Sequence, residues 1–227
     1  AIARAEGLAA GMLEPDSTHH PEPQRPRDRR QAAACGSLLS VGEEPAMGEQ
    51  RVRLRPVTEA DLPDYVVWLN DPEVTQFTML EAGNCTLEGE REWFARISDP
   101  ESRSRNWAIE VDGRHIGNCA LHLDASGETA GFGIIIGDKS RWGKGCGTAA
   151  LREVLRIGFE EMGLHRIHLR AFAGNARAIR CYQKCGFRHE GLHRKAQFKR
   201  GEWLDMVSMA ILEDEWRAQD AAPSERR

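Results

Sequence analysis

Three glycines at alternating positions, Gly143, Gly145 and Gly147, carry the clearest chemical signal in the chain. Glycine has no Cβ, so a ligand can approach the backbone closely at each of them. A helix-like apolar pattern follows directly, and the start of a helix turns free N–H groups and a positive dipole end back towards the loop. A loop of this kind holds an anion, usually a phosphate. Arg141 and Lys144 lie in the same stretch and add positive charge.

What the loop lacks narrows the choice of phosphate ligand. A Walker A loop requires Gly, four residues, then Gly-Lys-Ser/Thr. Here Gly143-Lys144 is followed by Gly145, and position 138 is Asp. Gly145-Cys146-Gly147-Thr148-Ala149-Ala150 does fit the Gly-x-Gly-x-x-Ala dinucleotide fingerprint. That fingerprint opens its domain and expects an acid at the end of the next strand. The corresponding run here is Arg170-Ala171-Phe172, so a nicotinamide-dependent oxidoreductase stays as a minor alternative.

Two further blocks point elsewhere. Trp142-Gly-Lys-Gly-Cys-Gly147 resembles the pyrophosphate loop of the GNAT N-acetyltransferases, and Asn175 to Phe187 resembles their Asn…Tyr-x-Lys-x-Gly-Phe block. Trp68 to Val74 is similar to the first-helix region of the RimJ/RimL-like branch and its spermidine acetyltransferase relatives. The resemblance spans about Arg51 to Trp216. In one respect the chain departs from the pattern: Trp142 stands where the family has Gln or Arg.

The resemblance implies an α/β fold, a single domain with a mixed central sheet, helices on both faces and a splayed central strand pair. It implies an acetyl-CoA-dependent N-acetyltransferase, acting by direct transfer to a primary amine in a ternary complex, without a metal. Ile134, Ile135 and Ile136 would pair with pantetheine through their backbone. Arg141, Trp142, Gly143, Lys144, Gly145, Cys146, Gly147 and Thr148 would hold the phosphates, and Asn175 would contact pantetheine. Tyr182 would protonate the departing thiolate. Trp68, Asn70, Glu73, Gln76 and Phe77 would border the acceptor, with Phe198 and Trp203 covering it. Some relatives carry Glu at the position of Gly131, which leaves Glu73, Asp71 and Glu128 as candidate bases. The acceptor would be a small-molecule amine such as a polyamine or an aminoglycoside, or a protein N-terminus, and a homodimer is compatible. A non-catalytic acyl-CoA sensor on the same fold is the leading alternative.

The elements that must position these residues are legible from periodicity. Val52–Arg55 alternates as a strand. Thr58 or Asp61 can cap a helix with Leu62, Tyr65, Val66 and Leu69 on one face. Thr86 can cap a second, bearing Trp93, Phe94 and Ile97. Strands are expected at 107–111 and 115–121, joined by Asp112-Gly113, and at 129–136. After the glycines, Leu151, Val154, Leu155, Gly158, Phe159 and Met162 follow helical spacing up to a C-cap at Gly163. A strand at 167–172, a short helix from Asn175 to Gly186, and strands at 187–192 and 203–212 complete the pattern. Strands alternating with helices, with one early hairpin, predict a mixed α/β sheet.

Composition sets the outer bounds. The chain has 227 residues and a formal net charge of -4, which argues against nucleic acid as a partner. No apolar run is long enough for a membrane helix, and a cytoplasmic protein is expected. The six cysteines contain no Cys-x-x-Cys pair and read as free thiols in a reducing compartment. His165 and His168 have ligand-like spacing but are expected to point apart on a strand. Residues 1–50 contain no Phe, Trp or Tyr and several prolines, which predicts disorder, with Met47 as the natural start. The domain is expected over 51–216, and 217–227 as a flexible tail.

Overall fold

The resemblance implies helices on both faces of a mixed sheet, and the computed structural model, which describes residues 51–220, has that arrangement. The expectations for residues 1–50, for the Met47 start and for 221–227 lie outside the described residues. Seven strands form one sheet: β1 (Val52–Pro56), β2 (Ser104–Val111), β3 (Arg114–Leu123), β4 (Thr129–Ile136), β5 (Arg166–Phe172), β6 (Arg188–Lys199) and β7 (Glu202–Leu212). Their spatial order is β1-β2-β3-β4-β5-β7-β6, with every pair antiparallel except β4–β5. A parallel pair needs a crossover, and helix α3 (Cys146–Arg156) supplies it.

Helices α1 (Leu62–Asn70) and α2 (Leu87–Ile97) lie on one face, where Leu62, Tyr65, Leu69 and Trp93 form a buried cluster with Ile135 packed against it. Each start has its expected device. Thr58 and Asp61 form a capping box ahead of α1, and Thr86 Oγ1 accepts from the Gly89 N–H at the start of α2, a contact worth about 1 kcal/mol. Helices α3 and α4 (Ala176–Lys184) lie on the other face. There Leu151, Val154 and Leu155 pack on Ala130, Ile167 and Leu169. At Gly158 a Cβ would stand 2.6 Å from Ile167 Cδ1, so a larger residue would have to displace that methyl where the end of this helical segment meets β5.

Two elements depart from the sequence expectation. The run expected at 187–192 is a strand of twelve residues, Arg188–Lys199, with register shifts after His189 and His193. Nearly all of its side chains are exposed, so it has no apolar alternation to reveal it, and its pairing with β7 holds it instead. Helix α5 (Glu213–Asp220) extends four residues past the expected boundary at Trp216. Trp216 stacks on Phe159 at 6.1 Å and anchors it.

Candidate functional site

Strand β4 pairs with β5 only at Thr129, Ala130 and Gly131, opposite Arg166, Ile167 and His168. Beyond that rung β4 keeps its partner β3 as far as Ile136, and β5 keeps β7 as far as Phe172. The two strands therefore diverge, and the β5-facing edge of β4 from Phe132 onward is left without a strand. Unpaired backbone N–H and C=O groups along such an edge invite an extended, amide-bearing ligand. Ile134 and Ile136 turn their side chains to the α3 face and Ile135 to the α1 face, so it is their backbone that faces the slot.

The slot runs into the glycine loop. Gly143 and Gly145 have φ of +73° and +84°, and a Cβ at either would meet nothing within 4 Å. Both therefore sit in the left-handed region that favours glycine, beside open space. Gly145 is the N-cap of α3 and no side chain caps that helix, so the N–H groups of its first turn have no side-chain partner, a geometry that suits an anion. Gly147 lies deeper, where a Cβ would be 4.0 Å from Cys181 Sγ and from Ile134 Cδ1.

The aromatic and basic residues of the loop are held by the protein. Trp142 Nε1 donates to the Ile136 carbonyl at 2.7 Å, and the Arg177 guanidinium lies 4.1 Å over the indole. The tryptophan thus pins the loop to the end of β4, with its indole N–H engaged there. Arg141 is 3.4 Å from Asp112. Lys144 is exposed and has no ion pair among the described residues.

Across the slot, the Asn175 side chain accepts from the Ala178 N–H at 3.1 Å, capping α4. Tyr182 on α4 is buried, edge-on to Phe132 and tilted against Phe187. Burial pushes its phenol above the ordinary tyrosine value, so it holds its proton at neutral pH. Cys181 lies 3.3 Å from Thr148 Oγ1, and a hydrogen bond from Cys185 lowers its thiol pKa. Scattered cysteines carry no sequence signal for this placement.

On the acceptor side, several expected contacts are already engaged. Trp68 packs so closely on Gly137 that a Cβ there would be 1.9 Å from Cδ2. The Asn70 amide donates to the carbonyls of Val66 and Cys85 and accepts from the Cys85 N–H. Its polar atoms therefore brace α1 against the segment before α2. Lys139 binds Asp71 at 2.8 Å and Glu73 at 2.9 Å, and its hydrogen bond holds the Asp71 carboxyl below its ordinary pKa. Both acids thus share one ammonium. Glu128 lies exposed on the turn before β4, and Gln76 is also exposed. Phe77 reaches the slot's far end, 6.3 Å from Phe172 and next to Gly174. Phe198 and Trp203 touch each other at 5.3 Å on the outer hairpin, both more than half exposed.

The sequence did not signal Lys199. It is 3% exposed, and its ammonium donates to the carbonyls of Thr75, Thr78 and Leu80. Arg200 adds a bond to the Pro72 carbonyl at 2.6 Å. The β6–β7 turn is thereby latched to the loop that carries Phe77. Among the described residues no group of three or more side chains is arranged to hold a metal, and no helix is long and apolar enough to cross a membrane.

The family model for the acetyltransferase (GNAT) domain matches residues 51–188. A probable N-acetyltransferase of Bacillus subtilis, YjcK, is 35% identical over 144 residues, covering 60% of this chain and 79% of that protein. The spermidine N(1)-acetyltransferase of Escherichia coli K12 is 28% identical over 176 residues, covering 77% and 92%. A solved spermidine N-acetyltransferase from Vibrio cholerae, in complex with CoA and spermine, has the same fold, with a TM-score of 0.68 at 24% identity over 73% of this chain and 98% of that one.

Proposed function

The chain belongs to the GNAT acetyltransferase family and is an acetyl-CoA-dependent N-acetyltransferase, and from that premise we propose that it acetylates a small primary amine by direct attack in a ternary complex. The observation that carries this reading is the divergence of β4 from β5 after Gly131, ending at the open cradle of Gly143 and Gly145.

Each part of the donor finds a complementary surface. The unpaired edge of β4 suits the pantetheine amides. The bare glycines and the uncapped start of α3 suit the pyrophosphate, with Lys144 as the nearby cation. Trp142 and Asn175 act on the site's framework, the first by fixing the loop and the second by capping α4. With the donor so held, the rate gain comes chiefly from positioning two reactants. The amine lone pair attacks the thioester carbon, the C–N bond forms and the C–S bond breaks. Tyr182, kept protonated by burial, supplies the proton to the leaving sulfur.

The acceptor enters from the face opposite α4, past Phe77. A polyamine is the first acceptor to test because a relative that is 28% identical acts on spermidine. The acids at Asp71 and Glu73 add less to that case than their charge suggests, since both already share the Lys139 ammonium. Calorimetric titration of the full chain with acetyl-CoA, against ATP and NADH, tests the donor. Selective acetyl-CoA binding followed by CoA release with spermidine is the expected result. Acetyl-CoA binding with no CoA release from any amine in a panel of polyamines, amino acids and aminoglycosides would favour a sensor. A preference for NADH would overturn the slot.

A further inference from the structure

An ammonium must lose a proton before it can attack a thioester, and none of the acids discussed above is well placed to take it. His168 on β5 pairs in register with Gly131 on β4, at the last rung before the strands part. Ala130, Phe132, Ile167 and Leu169 are buried towards α3 and α4, so strand alternation turns Gly131, Gly133 and His168 to the opposite face. That is the face from which an acceptor reaches the slot. A Cβ at Gly131 would lie 3.6 Å from His168 Cε1 and 3.9 Å from Nε2, and one at Gly133 would meet nothing within 4 Å. The imidazole therefore leans over a patch of bare backbone at the head of the slot. No hydrogen bond among the described residues engages its ring nitrogens.

We propose that His168 is the general base of the acetyl transfer, accepting the proton of a primary ammonium that settles over Gly131 and Gly133. The proposal rests on the slot being the thioester site. The step balances without another reactant. His168 takes one proton from the ammonium, and the freed lone pair forms the C–N bond. The C–S bond breaks and the sulfur takes the Tyr182 proton. The second proton on nitrogen returns through water to the phenolate, and His168 releases its proton to solvent.

The surroundings favour a neutral ring ready to accept. The side chain is exposed on its strand; partial desolvation comes first and Arg166 second in lowering its pKa below the ordinary histidine value, with Arg170 acting in the same sense and Glu190 and Asp124 opposing. His122 stands on the far side of Gly131, in register on β3. Glu190 is bound at both oxygens by Arg166, each at 2.6 Å, so it is the less available carboxylate. Tyr182 lies on the α4 face and His168 on the other, which puts acid and base on opposite sides of a thioester lying in the slot.

The test follows the full chain by NMR while acetyl-CoA is added, with the His168 ring assigned from His168→Gln. Amides of Gly143 to Gly147 and the His168 ring should both shift. A response of the loop without any response of His168 would overturn the base while leaving the donor site intact. Silence of both would overturn the slot, and the base with it. Kinetics supplies the second readout. On an alkyl amine that the enzyme turns over, His168→Gln should lower kcat by about 10²–10³-fold and remove the acidic limb of the pH profile. On an aromatic amine, already neutral at pH 7, the loss should shrink to less than about tenfold, because no proton need leave before attack. An equal loss on both amines, or an unchanged acidic limb, would overturn the proposal.

Discussion

Lys199 Nζ donates to the carbonyl of Leu80 at 2.6 Å, joining residues 119 positions apart in the chain. The same ammonium reaches the carbonyls of Thr78 at 2.6 Å and Thr75 at 3.0 Å. Its three donors are thus filled by main-chain oxygens alone. A cation at the β6–β7 turn holds the loop that carries Phe77.

Lys199→Met keeps much of the side-chain length and removes the donors. Three carbonyls then lose their partner and must find water. The expected cost is about 1–3 kcal/mol of stability, read as a lower urea midpoint. The loop should loosen around Phe77, so KM for the acceptor amine rises several-fold while acetyl-CoA affinity stays the same. A Michaelis constant that does not move would confine Lys199 to stability.

Gly145→Glu brings a side chain to a position with φ of +84° and an anion to the start of α3. Both effects oppose a bound pyrophosphate. Acetyl-CoA affinity should fall by at least about 100-fold in calorimetry, roughly 2.7 kcal/mol. Wild-type affinity would place the pyrophosphate elsewhere.

Tyr182→Phe removes the phenol and preserves the packing on Phe132 and Phe187. Turnover should drop by about 10²-fold with acetyl-CoA binding nearly intact. Full turnover would reduce Tyr182 to a core residue.

Asp61 sets an acid limit on stability. Burial pushes its carboxyl up, but Arg55 at 2.7 Å, the Thr58 N–H and hydroxyl, and His115 overcome this and hold the pKa at about 2. A carboxyl depressed in the folded state contributes stability above its unfolded value near 3.8 and loses it as pH falls through about 2. The contribution is about 2 kcal/mol. Urea unfolding between pH 5 and pH 2 should show that decline in the wild type, and Asp61→Asn should lack this component.

Much of the fold was legible because its cues are local. Asn175 and Thr86 announce their helices through capping geometry, which needs only a few neighbouring residues. The apolar stripe of Leu151, Val154 and Leu155 needs only one helical face. Strand β6 was read short because most of its residues are polar and exposed, and its length comes from pairing with β7. The site divides the same way. The cradle at Gly143 and Gly145 was readable, since glycine spacing encodes backbone freedom. The other engagements of Asn70, Asp71, Glu73 and Trp142 were not, because each depends on a partner from another element.

By itself, then, the sequence determined the open glycine loop, the helix caps and the alternating α/β order, all of which arise from interactions within a turn or two of chain. Only the tertiary structure decided where β4 and β5 part, that His168 overhangs Gly131, and that Lys199 is enclosed by carbonyls from the loop before α2. Those relationships join residues tens to more than a hundred positions apart, and distance in sequence carries no information about which strands pair or which carbonyls converge until the sheet has formed.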